Sequence, residues 1–199
     1  MTTYVAFLRG VNLGPTRKVS MPRLAELGRE LGYDDVWTWA SSGNLLLTTA
    51  EDAAAVEREV AGVLLREHGA QVDVTVRSAA QLGALLEQNP FRDGSPSRVT
   101  VAFLVGPARD GAVARLAEVA TPAEPFLVAG REVWVHYGDG IADSRLAAAF
   151  SRIVGVSATT RTVGTVGTLV AKIAARAETS PGDSRRAKDP SGGHPSARR

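Results

Sequence analysis

Tyr4, Val5, Ala6, Phe7 and Leu8 form an apolar run with no polar break, which opens directly into Arg9, Gly10, Val11, Asn12, Leu13 and Gly14. A strand wetted on one side alternates apolar and polar residues, whereas a continuous short run reads as a strand covered on both faces. The chain must therefore supply one layer above and another below its first strand. That requirement limits the available folds more than any other feature of the sequence.

The next residues supply the first layer. Ser20 can cap a helix that has Pro22 in its first turn and Leu24, Leu27 and Leu31 at helical spacing, with Gly32 as its stop. Val36–Trp39 reads as a second strand, Ser41-Ser42-Gly43-Asn44 as turn chemistry, and Leu45–Leu47 as a third strand apolar on both faces. Glu51 and Asp52 open a second helix, with Val56, Val60, Val63 and Leu64 on one side and Gly69 at its end. Val72, Val74 and Val76 then alternate with Asp73, Thr75 and Arg77, the pattern of a half-buried strand. The order β-α-β-β-α-β over residues 1–77 fits an antiparallel sheet of spatial order 4-1-3-2 with both helices on one face. The two-sided strands are then central and the alternating one lies at an edge.

Residues 78–97 read as a linking helix (Ala79–Gln88) and a polar loop. Over residues 98–177 the same architecture returns. Val99–Val105 is a central-type strand, and Val113, Leu116 and Val119 mark a helix. A hairpin turns at Ala129-Gly130, a helix carries Leu146, Phe150, Ile153 and Val154, and Val156–Arg161 is a fourth strand. A last helix covers about Thr165–Ala177. The repeat reads as one of architecture and not of sequence. Each unit leaves one sheet face uncovered, so the two are expected to pack together. Residues 178–199 lack an apolar anchor and are expected to be disordered.

Composition excludes several functions. There is no cysteine among the 199 residues, so disulfides, thiolate catalysis and cysteine–zinc sites are out, and a reducing cytoplasm is the expected location. His68, His136 and His194 lie far apart, and no ligand spacing suggests a metal. No apolar stretch approaches the roughly 18 residues of a spanning helix. The net charge is +2, but five basic and three acidic residues fall in 178–199, which leaves 18 of each sign in the body. A neutral body is not the basic surface that nucleic-acid binding needs.

The topology brings the end of the first strand beside the start of the third. Arg9, Gly10, Asn12, Gly14, Arg17 and Lys18 are thereby expected near Ser42, Gly43 and Asn44, a set suited to a phosphate or carboxylate. Arg161, after Thr159 and Thr160, is a further candidate. The same residues also serve plain structural ends: glycines for positive φ, asparagines for side-chain turns, Arg9 for an ion pair with Asp34, Asp35 or another acid. The glycine spacing matches neither a Walker loop nor a dinucleotide fingerprint. Trp37 and Trp39 read as core, and Ser144 as a helix cap.

These stretches resemble one family. Phe7–Gly14, Lys18 with Met21, Ser42-Gly43-Asn44, Val76-Arg77-Ser78, Asn89-Pro90-Phe91 and Ala158–Arg161 look like the bacterial domain-of-unknown-function 1697 family, in the same order from about Thr3 to Ala177. The resemblance implies an α+β fold of two tandem ferredoxin-like plaits with antiparallel sheets, followed by a C-terminal helix. It implies no activity. Two departures stand out: Thr162-Val163-Gly164 replaces the family's usual Asn-Trp-Asn, and Pro15 replaces a second glycine, stiffening the loop.

The leading expectation is a module that binds a small anionic or phosphate-bearing molecule at the first loop. Single-stranded nucleic-acid binding and a protein-interaction role without catalysis stand as alternatives. No catalytic constellation, cofactor motif or metal set is recognisable, and the oligomeric state is open.

Overall fold

A computed structural model describes residues 1–12 and 18–179. Its elements, in chain order, are β1 (Thr2–Leu8), α1 (Met21–Glu30), β2 (Asp34–Thr38), β3 (Asn44–Thr49), α2 (Ala53–His68), β4 (Val74–Ser78), α3 (Ala79–Glu87), β5 (Val99–Leu104), α4 (Ala112–Val119), β6 (Phe126–Ala129), β7 (Glu132–His136), α5 (Arg145–Val154), β8 (Ala158–Thr162) and α6 (Val163–Thr179). The strands form two four-stranded sheets, ordered β2-β3-β1-β4 and β6-β7-β5-β8. Every strand pairing is antiparallel.

Alternation along the central strands divides the core into three parts. Tyr4, Ala6 and Leu8 of β1 face Leu24 and Leu27 of α1 and Val56, Val60 and Leu64 of α2. In the second sheet, Ala102 and Leu104 of β5 face Leu116 of α4 and Leu146, Phe150 and Val154 of α5. The opposite faces of the two sheets meet each other: Val5, Phe7 and Leu46 pack with Val99, Val101, Phe103 and Trp134, and with Leu82 of α3 and Val166 and Leu169 of α6. Phe7 and Phe103 stack with ring centroids 4.6 Å apart. Such a pair contributes about 0.5–1.5 kcal/mol beyond its buried area. The continuous apolar strands thus have the two covers their sequence required.

Pairing register reveals a two-fold relation between the sheets. Arg77 lies opposite Val5 and Arg161 opposite Val101; Thr75 lies opposite Phe7 and Thr159 opposite Phe103. Asn44 pairs with Phe7 as Glu132 pairs with Phe103. The relation is visible in the residues as well: Val-Ala-Phe-Leu occupies both 5–8 and 101–104, and a Thr-x-Arg pattern both 75–77 and 159–161. The repeat is therefore partly one of sequence, contrary to the reading above.

Local details follow known end effects. Asp52 and Ser144 cap α2 and α5 by accepting the N–H groups of Ala55 and Ala147. Gly69 and Gly155 close those helices in the left-handed region. Ser20 precedes α1 but accepts no capping bond through its side chain. Two expectations are corrected. β4 does lie at a sheet edge, but Thr75 and Arg77 are buried, because the face they occupy is turned toward the second sheet. The expected disorder from residue 178 does not hold for Glu178 and Thr179, which end α6; the rest of the tail lies outside the described residues.

Candidate functional site

The end of β1 and the start of β3 are neighbours, as strand order requires. The Leu8 N–H donates to the Gly43 carbonyl at 2.9 Å. Asn12, at φ 59°, donates through Nδ2 to the carbonyls of Val19 (3.0 Å) and Ser41 (2.8 Å), and its Oδ1 accepts from the Val19 N–H. It therefore clamps the loop end to the turn. Gly10 and Gly43 also take positive φ. At Gly43 an added Cβ would lie 2.4 Å from Val11 Cγ2 and 2.9 Å from Leu8 Cβ, so the glycine is needed for space as well as for backbone angle. Lys18 is exposed beside a shallow depression that it lines with Asn12, Val19 and Ser20. Gly14 and Arg17 lie outside the described residues.

Arg9 turns away from this group. Its Nη1 meets Asp73 Oδ2 at 3.4 Å and Ser157 Oγ at 3.1 Å, and Ser157 itself donates to Asp73 at 2.5 Å. The acid it pairs with is thus Asp73, and the contact joins the two halves of the chain.

Arg161 crosses in the other direction. Its Nε donates to Asn44 Oδ1 at 2.8 Å, and its Nη2 to the Ser42 carbonyl at 2.7 Å, with the Gly43 and Leu8 carbonyls at 3.3 Å. Its Nη1 donates to the Thr160 carbonyl at 3.0 Å, and its guanidinium lies 5.5 Å from the Phe7 ring centroid. Burial pushes Arg161 down to about 10, which leaves it cationic at neutral pH. Asn44, fully buried, completes the knot by donating to the Trp39 carbonyl and Ser42 Oγ. Most of the polar groups anticipated for an anion are thus turned inward onto protein acceptors.

The two-fold mate of this knot is different. Arg77 Nε donates to Glu132 Oε1 at 2.7 Å, its Nη1 to the Val76 carbonyl at 2.8 Å, and its guanidinium lies 5.5 Å from the Phe103 ring centroid. A carboxylate here replaces the amide of Asn44. Beside this ion pair lies a cavity of about 310 Å³ between α3 and the β6–β7 hairpin. Its walls include Leu85 and Trp134, with Gln81 and Gln88 at the rim. Cavities for small ligands have this character, an apolar wall with a few converging polar groups. In the sequence Arg77 stands out only as part of a strand and of the family-like stretch Val76-Arg77-Ser78, and none of these residues stands out as a site. The shared Val-Ala-Phe-Leu and Thr-x-Arg patterns were the signal, because they make Arg77 the counterpart of Arg161.

No group of histidine and acidic side chains suited to a metal is found among the described residues, and none of their helices is long and apolar enough to cross a membrane.

Two facing antiparallel sheets, four helices outside them and an ion pair beneath an open cavity define a two-sheet α/β protein with a small-molecule-sized cleft. The chain belongs to the family described as "Protein of unknown function (DUF1697)", which it matches over residues 1–134. Among solved structures it is similar to the conserved bacterial protein SP0830 from Streptococcus pneumoniae, at 21% identity and a TM-score of 0.70, over 87% of this chain and 99% of that one. That likeness is one of fold. No curated protein matches the chain.

Proposed function

We propose that the protein is a small-molecule-binding module of two tandem ferredoxin-like plaits, residues 1–77 and 98–177, joined by the segment 78–97. The strand orders β2-β3-β1-β4 and β6-β7-β5-β8, each from a β-α-β-β-α-β run, support the plait reading. A cytoplasmic setting suits a chain without cysteine. The ligand seats in the cleft between α3 and the β6–β7 hairpin. The observation that carries this is the cavity of about 310 Å³ lined by Arg77, Glu132, Trp134 and Leu85. Base stacking on the sheets has little support, since Phe7 and Phe103 cover each other between them.

A thermal-shift screen of the full chain against neutral and charged fragments tests the reading. A ligand at a hundred times its Kd stabilises the fold by about 2.7 kcal/mol. For a chain of this size that is a rise of roughly 5–10 °C. The expected hits disappear in Ala129→Trp, which fills the cleft, and persist in Lys18→Ala. Hits indifferent to Ala129→Trp would remove the cleft from consideration.

One observation favours a second reading, an anion near Lys18. Arg161 has only neutral acceptors, and among the described residues no carboxylate lies within ion-pair distance of it. A residual positive potential at this end would draw phosphate toward Lys18. Phosphate stabilisation that is lost in Lys18→Ala, and kept in Ala129→Trp, is the outcome that reading expects.

A further inference from the structure

The molecule has two clefts that are equivalent in position and opposite in content. On the first sheet Trp37 lies opposite Leu46, and the Trp39 N–H donates to the Asn44 carbonyl. On the second sheet Leu127 lies opposite Trp134 and Ala129 opposite Glu132. Leu127 and Ala129 are thus the counterparts of Trp37 and Trp39. The first cleft is closed: both indoles pack into the core between the sheets, and Arg176 of α6 lies 5.5 Å from the Trp37 ring centroid while bonding Asp35 at 2.7 Å. In the second cleft an isobutyl group and a methyl stand where two indoles would be, while Trp134 takes the place of Leu46 and returns one indole to the sheet; α3 is nine residues long against seventeen for α6. The cavity of about 310 Å³ lies at this less filled position, with Trp134 as one wall. The fold itself therefore shows what a site of this shape accommodates: a flat aromatic ring against a sheet.

The polar lining narrows the class. Arg77 is already matched by Glu132, so the site as a whole is neutral and has no unanswered charge for a charged ligand to meet. Glu132 uses Oε1 for Arg77, and its Oε2 accepts no hydrogen bond from the described residues although the side chain is only 22% exposed. The Gln81 carbonyl oxygen is taken by the Ser78 N–H, which leaves its amide NH2 available at the rim. The unmatched polar atom in the cleft wall is hence a carboxylate acceptor, and it is complemented by a ring N–H.

Resting on the proposal that this cleft is the ligand site, we infer that it takes a neutral, planar heteroaromatic molecule, which packs on Leu85 and Trp134 and donates a ring N–H to Glu132 Oε2.

The test uses the full chain, with indole and 1-methylindole as probes in calorimetric titrations. The two rings differ in little but the N–H. Indole is expected to bind saturably, and 1-methylindole at least about tenfold more weakly, the ordinary effect of losing one hydrogen bond to a charged acceptor. Ala129→Trp is expected to abolish indole binding, with Leu127→Trp as a second filled variant should the first fail to fold. Equal binding of the two probes, lost in the filled variants, would overturn the heteroaromatic N–H assignment and leave the cleft as a binding site. No binding of either probe, or binding unchanged in a folded filled variant, would overturn the inference and count against the cleft itself.

Discussion

A guanidinium presents five N–H donors in a rigid planar fork, and Arg161 directs most of them onto the Asn44 side chain and four backbone carbonyls. Removing it leaves buried acceptors with no partner. Arg161→Met is therefore expected to cost about 2–3 kcal/mol, measured by urea unfolding. Arg161→Lys should recover only part of that, since a point charge cannot reproduce the fork; full recovery would mean that charge alone matters. Gly43 is constrained twice, by φ +77° and by the close approach of Val11 and Leu8. Gly43→Ala is expected to lower stability by on the order of 1–3 kcal/mol, the range for a strained left-handed residue. A neutral outcome in chemical denaturation would show that the turn can relax. Glu124 offers a pH signature. Burial pushes its carboxyl up, but the Ser144 hydroxyl and the Thr121 N–H and hydroxyl donate to it and prevail, so it lies below the usual range. A depressed carboxyl adds stability that is present above its unfolded value of about 4.3 and disappears as pH falls through the lower folded value. The Tm advantage of the native protein over Glu124→Gln should accordingly be constant near neutrality and shrink in acid below about pH 4.

At the scale of elements, the central strands were legible because burial on both faces writes itself as an unbroken apolar run: Tyr4–Leu8, Leu45–Leu47 and Val99–Val105 all say it. The edge strand β4 was harder. Its Val–polar alternation is the ordinary sign of a wetted face, yet Arg77 is only 6% exposed, because that face meets the second sheet and the Arg finds Glu132 there. Alternation records chemical character, not solvent, and a polar residue with a distant partner looks like a surface residue until the partner is placed. The candidate loop shows the same limit in reverse. Arg9, Asn12, Asn44 and Arg161 have the composition of an anion site, but their lone pairs and N–H groups are largely answered from within the protein. The cleft could not be read from any single element, since it lies where β6 carries Leu127 and Ala129 in place of the Trp37 and Trp39 of β2 and the residue after it, under a helix from the first half of the chain. Filling it should behave as cavity filling does: Ala129→Trp is expected to raise stability by about 0.5–2 kcal/mol in a thermal melt. A lower Tm would show that α3 and the hairpin cannot accept an indole at that position.

The whole molecule is held by surfaces that neither half can cover alone. Val5, Phe7 and Leu46 are covered in part by Leu82 of α3; the rest of their cover is Val101, Phe103 and Trp134 of the second sheet and Val166 and Leu169 of α6. The polar ties run the same way, Arg9 to Ser157, Arg77 to Glu132 and Arg161 to Asn44, each joining residues from opposite halves of the chain. Full burial of a large apolar side chain is worth about 1.5–3 kcal/mol, so the loss of even four or five such contacts rivals the 5–15 kcal/mol stability of an ordinary domain. A fragment of residues 1–97 is thus expected to show no cooperative monomeric unfolding transition and to bind a hydrophobic dye. The full chain, by contrast, should melt in one step with coincident fluorescence and circular-dichroism curves. Adding a separate fragment of residues 98–179 should restore a cooperative melt, because the sheet faces, rather than the connection between them, supply the stability. A monomeric 1–97 fragment with a sharp transition and no dye binding would show that the first unit is a domain in its own right, and that the shared core serves the geometry of the cleft more than the folding of its parts.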